Sequence, residues 1–281
     1  ASLVGILNGV DYEEWNPETD THLPHRYSDR KMGGKEKNKK ALLEEMGLEY
    51  RLDRPLFGMV TRLTYQKGIE LVQQTVPDLM RSRDFALVVL GSGENEYEQF
   101  FEWLLREFPG RVGFYRGYNN PLAHRIEAGA DMFLMPSRYE PCGLTQLIAL
   151  PKGTVPVVRQ VGRLADTIHD KDHSHRPLHE RNGYVFKHYD NEALESALAA
   201  FGNPGDWDVT NNTFDNIGRI GWLAFGPGLT GSSFVGNTYT GKGVGDWLDY
   251  ACDISNGAVM HVEGNTITNN LGVASSDGST S

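Results

Sequence analysis

Two short clusters carry the residues that could do chemistry. In Met135-Pro136-Ser137-Arg138-Tyr139-Glu140-Pro141-Cys142-Gly143-Leu144-Thr145-Gln146, an apolar strand over Met132 to Met135 runs into a loop bearing one carboxylate, Glu140. The chain then enters a helix whose first residues are expected to be Gly143, Leu144 and Thr145. A helix start has N–H groups without intrahelical acceptors and the positive end of the helix dipole. Such amides hold a diphosphate, while Glu140 accepts hydrogen bonds from sugar hydroxyls. Pro141 fixes the turn, and Gly143 lets a ligand come close to the backbone. The second cluster follows the strand Phe57-Gly58-Met59-Val60 and reads Thr61-Arg62-Leu63-Thr64-Tyr65-Gln66-Lys67-Gly68, again opening a helix. Arg62 and Lys67 therefore lie at the carboxyl end of a strand, where open α/β sheets bind ligands. A planar guanidinium and a mobile ammonium together suit a diphosphate. Either cluster alone also fits an ordinary strand-to-helix turn. Two such clusters, at two strand ends, point to a ligand with both phosphates and hydroxyls.

The elements that must position these residues are legible over the first two hundred positions. Apolar runs predict strands near Pro55–Thr61, Phe85–Leu90, Arg111–Arg116, Asp131–Met135, Thr154–Val158 and Gly183–Phe186. Amphipathic stretches predict helices near Lys35–Met46, Gly68–Met80, Glu94–Glu107, Pro121–Ala128, Gly143–Leu150 and Asn191–Phe201. In the second of these, Leu71, Val72, Val76 and Leu79 form one apolar face. The alternation predicts an α/β fold with a doubly wound parallel sheet. Gly91-Ser92-Gly93-Glu94 lacks the third glycine of a dinucleotide fingerprint and reads as a tight turn with a supporting ligand contact.

Composition excludes several classes. The 281-residue chain carries a net charge of −10 and no basic stripe, which argues against a nucleic-acid partner. The basic run Lys31 to Lys40 is diluted by glycine and glutamate and reads as the solvated start of a helix. No apolar run reaches the 18 residues that a membrane helix needs. Two cysteines, Cys142 and Cys252, make a disulfide framework improbable and fit a reducing compartment. His169, His173, His175 and His179 have spacings that invite a metal, but their segment is a polar loop rich in Asp, Lys and Arg, and no metal site is expected.

At about Gly202 the composition changes. Residues 203–281 hold only two Lys or Arg but fourteen Gly and nine Asn. Short β-prone steps around Phe214, Phe234 and Ile267 alternate with asparagine-rich corners, which predicts rungs of a right-handed parallel β-helix with those three residues stacked inside. The aromatics Trp207, Trp222, Phe225, Trp247 and Tyr250 argue against a disordered tail. The expected organisation is an interdomain-type segment over 1–24, a Rossmann-like nucleotide-sugar-binding domain over 25–202, and the β-helix-like segment over 203–281.

The motifs also carry a resemblance. RLTYQKG (Arg62 to Gly68), GILNGVDYEEWNPETD (Gly5 to Asp20), GKEKNK (Gly34 to Lys39), AHRIEAGADMFLMP (Ala123 to Pro136), PSRYEPCGLTQ, KGTVPVVR (Lys152 to Arg159) and NGYVF (Asn182 to Phe186) resemble, in order and spacing, the bacterial glycogen synthase and plant starch synthase family. The similarity covers roughly residues 3 to 201. It implies a retaining glucosyltransferase of the two-domain B type that moves glucose from ADP-glucose to an α-1,4-glucan, with no metal and no other cofactor. By motif match, Arg62, Lys67 and Glu140 are implied as catalytic, the cations neutralising the departing diphosphate and Glu140 holding the glucose. Tyr118, Cys142, Gly143, Leu144 and Thr145 are implied as nucleotide-sugar contacts, with Tyr118 stacking near the adenine. The implied partner is the family's amino-terminal domain, with its K-x-G-G-L loop, and the implied location is the cytoplasm, or the plastid stroma if plant-like. One departure lies within the motifs: Arg163 replaces a glycine in Gly162-Arg163-Leu164-Ala165-Asp166-Thr167-Ile168 and is expected to strain the backbone or crowd the sugar. Other classes stay open, namely a non-catalytic nucleotide-sugar or glucan-binding module and a β-helix polysaccharide-binding protein.

Overall fold

The computed structural model describes residues 8–171, 173–177 and 180–199, then strands between 208 and 275 together with Asn265. The chain divides into two compact units, Ala1–Gly202 and Asn203–Ser281.

The first unit is built on six parallel strands: β1 (Leu56–Val60), β2 (Ala86–Gly91), β3 (Val112–Arg116), β4 (Met132–Met135), β5 (Val155–Arg159) and β6 (Tyr184–Phe186), in the spatial order β3-β2-β1-β4-β5-β6. Seven helices connect or flank them: α1 (Gly33–Glu45), α2 (Ile69–Ser82), α3 (Asn95–Glu107), α4 (Asn120–Gly129), α5 (Thr145–Ala149), α6 (Gly162–Thr167) and α7 (Asn191–Ala199). Successive strand residues point to opposite faces, and both faces are apolar because helices cover both. Phe57, Met59, Leu87, Val89, Met132, Leu134 and Val157 pack against α2, α3 and α7. Leu56, Val88, Leu90, Phe133, Met135 and Val158 pack against α1, α4, α5 and α6. Leu71, Val72, Val76 and Leu79 are all buried, as their spacing predicts. All six expected strands form within a residue or two of their expected bounds.

Three local readings need correction. Helix α5 starts at Thr145; Gly143 stands outside it with φ 49°, left-handed backbone that glycine adopts freely. Helix α6 goes unpredicted, since six residues with one buried apolar side chain, Leu164, give no periodicity. The basic run before and within α1 is not simply solvated. Lys39 is buried and donates to the carbonyls of Leu52 and Arg54 and to Asp131 at 2.7 Å. Lys35 donates to Ala130 O at 2.9 Å and Thr154 Oγ1 at 2.7 Å, and burial pulls its ammonium down to about 7. Lys35 thus satisfies carbonyls where α4 runs into β4, and Lys39 satisfies carbonyls just ahead of β1.

Residues 8–32 lie over α4 as turns closed by Asp11, Asn16 and Asp20 side chains, each accepting from an amide two residues on. A buried polar group anchors them. The Asp20 carboxylate takes His124 Nδ1 at 2.7 Å and Lys152 Nζ at 3.2 Å, and Trp15 stacks on His124 at 3.8 Å. Burial pushes the Asp20 carboxyl up, but His124, the His22 amide and the Lys152 charge together hold it at about 2.

The second unit contains β7 (Asp208–Thr210), β8 (Thr213–Ile217), β9 (Trp222–Phe225), β10 (Ser232–Val235), β11 (Thr238–Gly241), β12 (Cys252–Ser255), β13 (Met260–Glu263), β14 (Thr266–Thr268) and β15 (Val273–Ser275). They pair in parallel as three sheets, β13-β10-β7, β14-β11-β8 and β15-β12-β9. Phe214 registers with Tyr239, which registers with Ile267. Phe234 belongs to another row, with Val209 and Val262. The single row of Phe214, Phe234 and Ile267 is therefore corrected: Tyr239, between threonines, takes the middle place.

Candidate nucleotide-sugar site

The spatial order of the sheet reverses between β1 and β4, which places the exits of those two strands side by side. Crossovers leaving in opposite directions open a crevice at such a point. A small cleft lies there, lined by Val60, Thr61, Lys67, Pro136, Ser137 and Thr145.

Lys67 ends a short 3-10 turn, Tyr65–Lys67, that Gly68 closes with φ 73°. A Cβ on Gly68 would stand 2.1 Å from Pro136 O, so the β1 and β4 loops touch only because this residue has no side chain. Across that contact Lys67 Nζ donates to Glu140 Oε2 at 2.5 Å, and Ser137 Oγ donates to the same oxygen at 3.2 Å. Glu140 is buried at 7% exposure, Lys67 is half-buried. The structure thus brings together two of the three residues expected to act on the ligand, as an ion pair rather than as separate groups. Arg62 sits on the rim, exposed, and among the described residues no partner engages its guanidinium.

Among the described residues, the amides of Gly143, Leu144 and Thr145 have no backbone acceptor. The loop that presents them is tied down by Gln146, whose Nε2 donates to Gly143 O at 2.6 Å and Thr167 Oγ1 at 3.2 Å. With only five residues in α5, the contribution of its dipole is small, and the open N–H groups themselves carry the anion-binding capacity. Cys142 is exposed beside them. Tyr118 follows the edge strand β3 and is 85% exposed, its hydroxyl donating to Asn120 Oδ1 at 3.3 Å. Three strand spacings separate β3 from β4, roughly 14 Å.

Arg163 does not strain the chain. It lies within α6 in helical conformation, and the left-handed residue is Gly162, φ 46°, where a Cβ would stand 2.3 Å from Glu140 O. The Arg163 amide donates to that same carbonyl at 3.0 Å, so this segment braces the Glu140 loop. The Gly91-Ser92-Gly93-Glu94 turn offers no free anion cradle: Gly93 N donates to Glu98 Oε1 at 2.9 Å, Glu94 N donates to Leu63 O, and Leu63 N donates to Ser92 O. It packs on the β1 loop instead. Glu94 Oε1 also accepts from Tyr65 N at 3.0 Å.

Behind the pair lies a set of contacts that spacing along the chain does not reveal. Arg138 donates from Nε and Nη2 to Glu70 Oε1 at 2.6 and 2.5 Å, and Tyr189 OH donates to the same oxygen at 2.6 Å. Burial and the Glu70 carboxylate push the Tyr189 phenol well above its ordinary range, so it remains a donor. Arg138, two positions before Glu140, is the one signal that pointed here. Among the described residues no three His, Cys, Asp or Glu side chains form a cluster able to hold a metal, and no helix is long and apolar enough to cross a membrane. His179, last of the four connector histidines, lies outside the described residues.

A family model described as "Glycosyl transferases group 1" matches residues 44–204, which takes in every strand of the sheet and each site residue above. The chain belongs to the group 1 glycosyl transferases. This glycosyl transferase domain is 51% identical over 195 residues to a glycogen synthase of Anaeromyxobacter dehalogenans, covering 69% of this chain and 40% of that protein. It is 47% identical over 187 residues to a glycogen synthase of Bacillus cereus, covering 66% of this chain and 38% of that one. Among solved structures, the catalytic domain of starch synthase IV from Arabidopsis thaliana, bound to ADP and acarbose, aligns with a TM-score of 0.66 and 36% identity over 70% of this chain and 41% of its own. The first unit is therefore a glycosyltransferase domain of the glycogen and starch synthase kind, and the chain spans about two fifths of the length of these relatives.

Proposed function

We propose that the first unit is the donor-binding half of a retaining glucosyltransferase that uses ADP-glucose to extend an α-1,4-glucan. The observation that carries this reading is the Lys67–Glu140 pair at the strand-order reversal, with unbonded amides beside it. In this reading Arg62 and Lys67 meet the diphosphate, the amides of Gly143, Leu144 and Thr145 hold its distal phosphate, and Glu140 accepts from glucose hydroxyls. Tyr118 and Cys142 contact the rest of the nucleotide. As the glycosidic bond to the donor breaks, negative charge grows on the diphosphate, and cations and N–H groups already in place stabilise it without reorganising. No divalent metal is needed, because Arg62, Lys67 and the amides supply the positive field. The acceptor glucan is bound with an amino-terminal domain of the kind the resemblance implies. ADP supports the reading as the probe because the starch synthase neighbour is described as bound to it.

Titration calorimetry of the folded chain with ADP, with and without EDTA, tests the reading. Weak binding that EDTA leaves unchanged is expected. No heat up to millimolar ADP overturns it, and loss of binding in EDTA overturns its metal-free part.

For the described strands between 208 and 275 we propose coils of a parallel β-helix, right-handed as the sequence predicts. Three parallel sheets whose strands recur in the same order, with Phe214, Tyr239 and Ile267 in one row, favour it. Limited proteolysis near Gly202 is expected to release a carboxyl-terminal fragment that resists further cutting. Its rapid digestion is the outcome that ends this reading.

A further inference from the structure

Four segments meet behind the Lys67–Glu140 pair, and Arg138 is the residue they share. Its guanidinium lies between two aromatic rings, 3.9 Å from the centre of Tyr65 and 4.0 Å from that of Tyr189. Two of its nitrogens are on Glu70, which stands three positions after Lys67, in the first turn of α2. Its backbone is tied as well: Arg138 N donates to Gln66 O at 2.9 Å, and Arg138 O accepts from Arg159 Nη1 at 2.7 Å. Arg159, at the end of β5, also lies over the Tyr189 ring at 5.0 Å. The Tyr189 hydroxyl holds Glu70 from the β6–α7 connection. The exits of β1, β4, β5 and β6 are thus joined through one residue, its side chain reaching Tyr65, Glu70 and Tyr189 and its backbone reaching Gln66 and Arg159. The guanidinium is engaged by Glu70 and lies over two rings, so Arg138 is not a ligand cation of the kind Arg62 offers.

We propose that Arg138 is a positioning residue: clamped by Glu70, Tyr65 and Tyr189, it fixes the β4 loop on the β1 loop and so holds Glu140 against Lys67. This rests on the reading that the pair receives a nucleotide sugar. The physical requirement is a planar cation. A lysine keeps the charge beside Glu70 but has neither the fork for two bonds nor the flat surface for two rings. The staple is two residues from Glu140 and three from Lys67, so small shifts in it reach the pair directly.

The test compares the wild-type chain with Arg138→Lys and Tyr189→Phe, each alone and on a Lys67→Ala background, by thermal melting, ADP titration and hydrogen exchange of the segment 136–142 without nucleotide. Arg138→Lys is expected to melt near the wild type, to lose about fivefold or more in ADP affinity, and to speed exchange of 136–142. On the Lys67→Ala background it adds less than about twofold, because the pair it positions is gone. Tyr189→Phe, which keeps the ring and removes only the hydroxyl, shifts the same quantities less. Unchanged exchange and affinity in Arg138→Lys, or the same loss with and without Lys67, overturns the proposal. If Arg138→Lys fails to fold, Tyr189→Phe decides by the same criteria. If the wild type binds no ADP, the nucleotide reading falls while the exchange of 136–142 still judges Arg138: faster exchange upholds it, unchanged exchange overturns it.

Discussion

Lys67 carries its counter-charge with it, and this shapes what the residue can do. A free ammonium would attract any anion, whereas Lys67 already donates to Glu140 at 2.5 Å. In the proposed role a ligand engages both members, phosphate at the ammonium and hydroxyls at the carboxylate. Lys67→Ala removes a bond to charged groups and also leaves a buried carboxylate next to the incoming phosphate. The expected loss in ADP binding is about 1.5–3 kcal/mol, or roughly 10- to 150-fold in affinity, read by calorimetry; an unchanged affinity would place the diphosphate elsewhere. Gly68 acts at the same scale. Its left-handed backbone costs a non-glycine residue about 1–2 kcal/mol, and any Cβ there drives into Pro136 O. Gly68→Ala is expected to lower both the melting temperature and ADP affinity. Binding that survives intact would show that the two loops tolerate separation.

Among elements, α4 and the short 3-10 turn Leu150–Lys152 share a buried charged cluster. Glu127 of α4 is 2% exposed, and burial pushes its carboxyl up to about 8 although Lys152, at 3.6 Å, pulls it down. Between its ordinary value of 4.5 and about 8, the folded chain holds a proton that the unfolded chain has released, so stability falls as pH rises through that window. Asp20 has the opposite sign: held at about 2, it contributes stability that is lost as pH drops from its ordinary 3.8 toward 2. Glu127→Gln should flatten the melting temperature between about pH 5 and pH 8 and spare the acid limb; a slope like the wild type's would mean that Glu127 is ionised in the fold. The strands of this unit were readable because both of their faces are buried, which leaves continuous apolar runs. Helix α6 was not, since Arg163 and Asp166 leave Leu164 alone inside. Tyr239, flanked by Thr238 and Thr240, shows no apolar step, so the sequence offers Phe234 for the place that register gives to Tyr239. The Arg138–Glu70–Tyr189 contacts join positions 68 and 119 apart, a separation over which spacing says nothing.

For the whole molecule, the chain spans about two fifths of its glycogen synthase relatives, and the Lys67–Glu140 cleft lies at the open ends of the strands. Residues 1–281, as a separate polypeptide, are expected to transfer no glucose to glycogen, because water at the reacting centre weakens every charge interaction there. Incorporation of labelled glucose at ordinary synthase rates would show the unit to be self-sufficient. The sheet order has one more consequence, in the order of events as the chain is made. Lys67 and Glu140 are 73 positions apart, and β2, α3, β3 and α4 are all synthesised between them. A nascent chain shows the lysine long before the acid exists. The pair needs β4 beside β1, a non-local pairing whose loop-closure cost is shared with the intervening β2 and β3. Until β4 is in place the site does not exist, and β5 and β6 are still to be added beyond it.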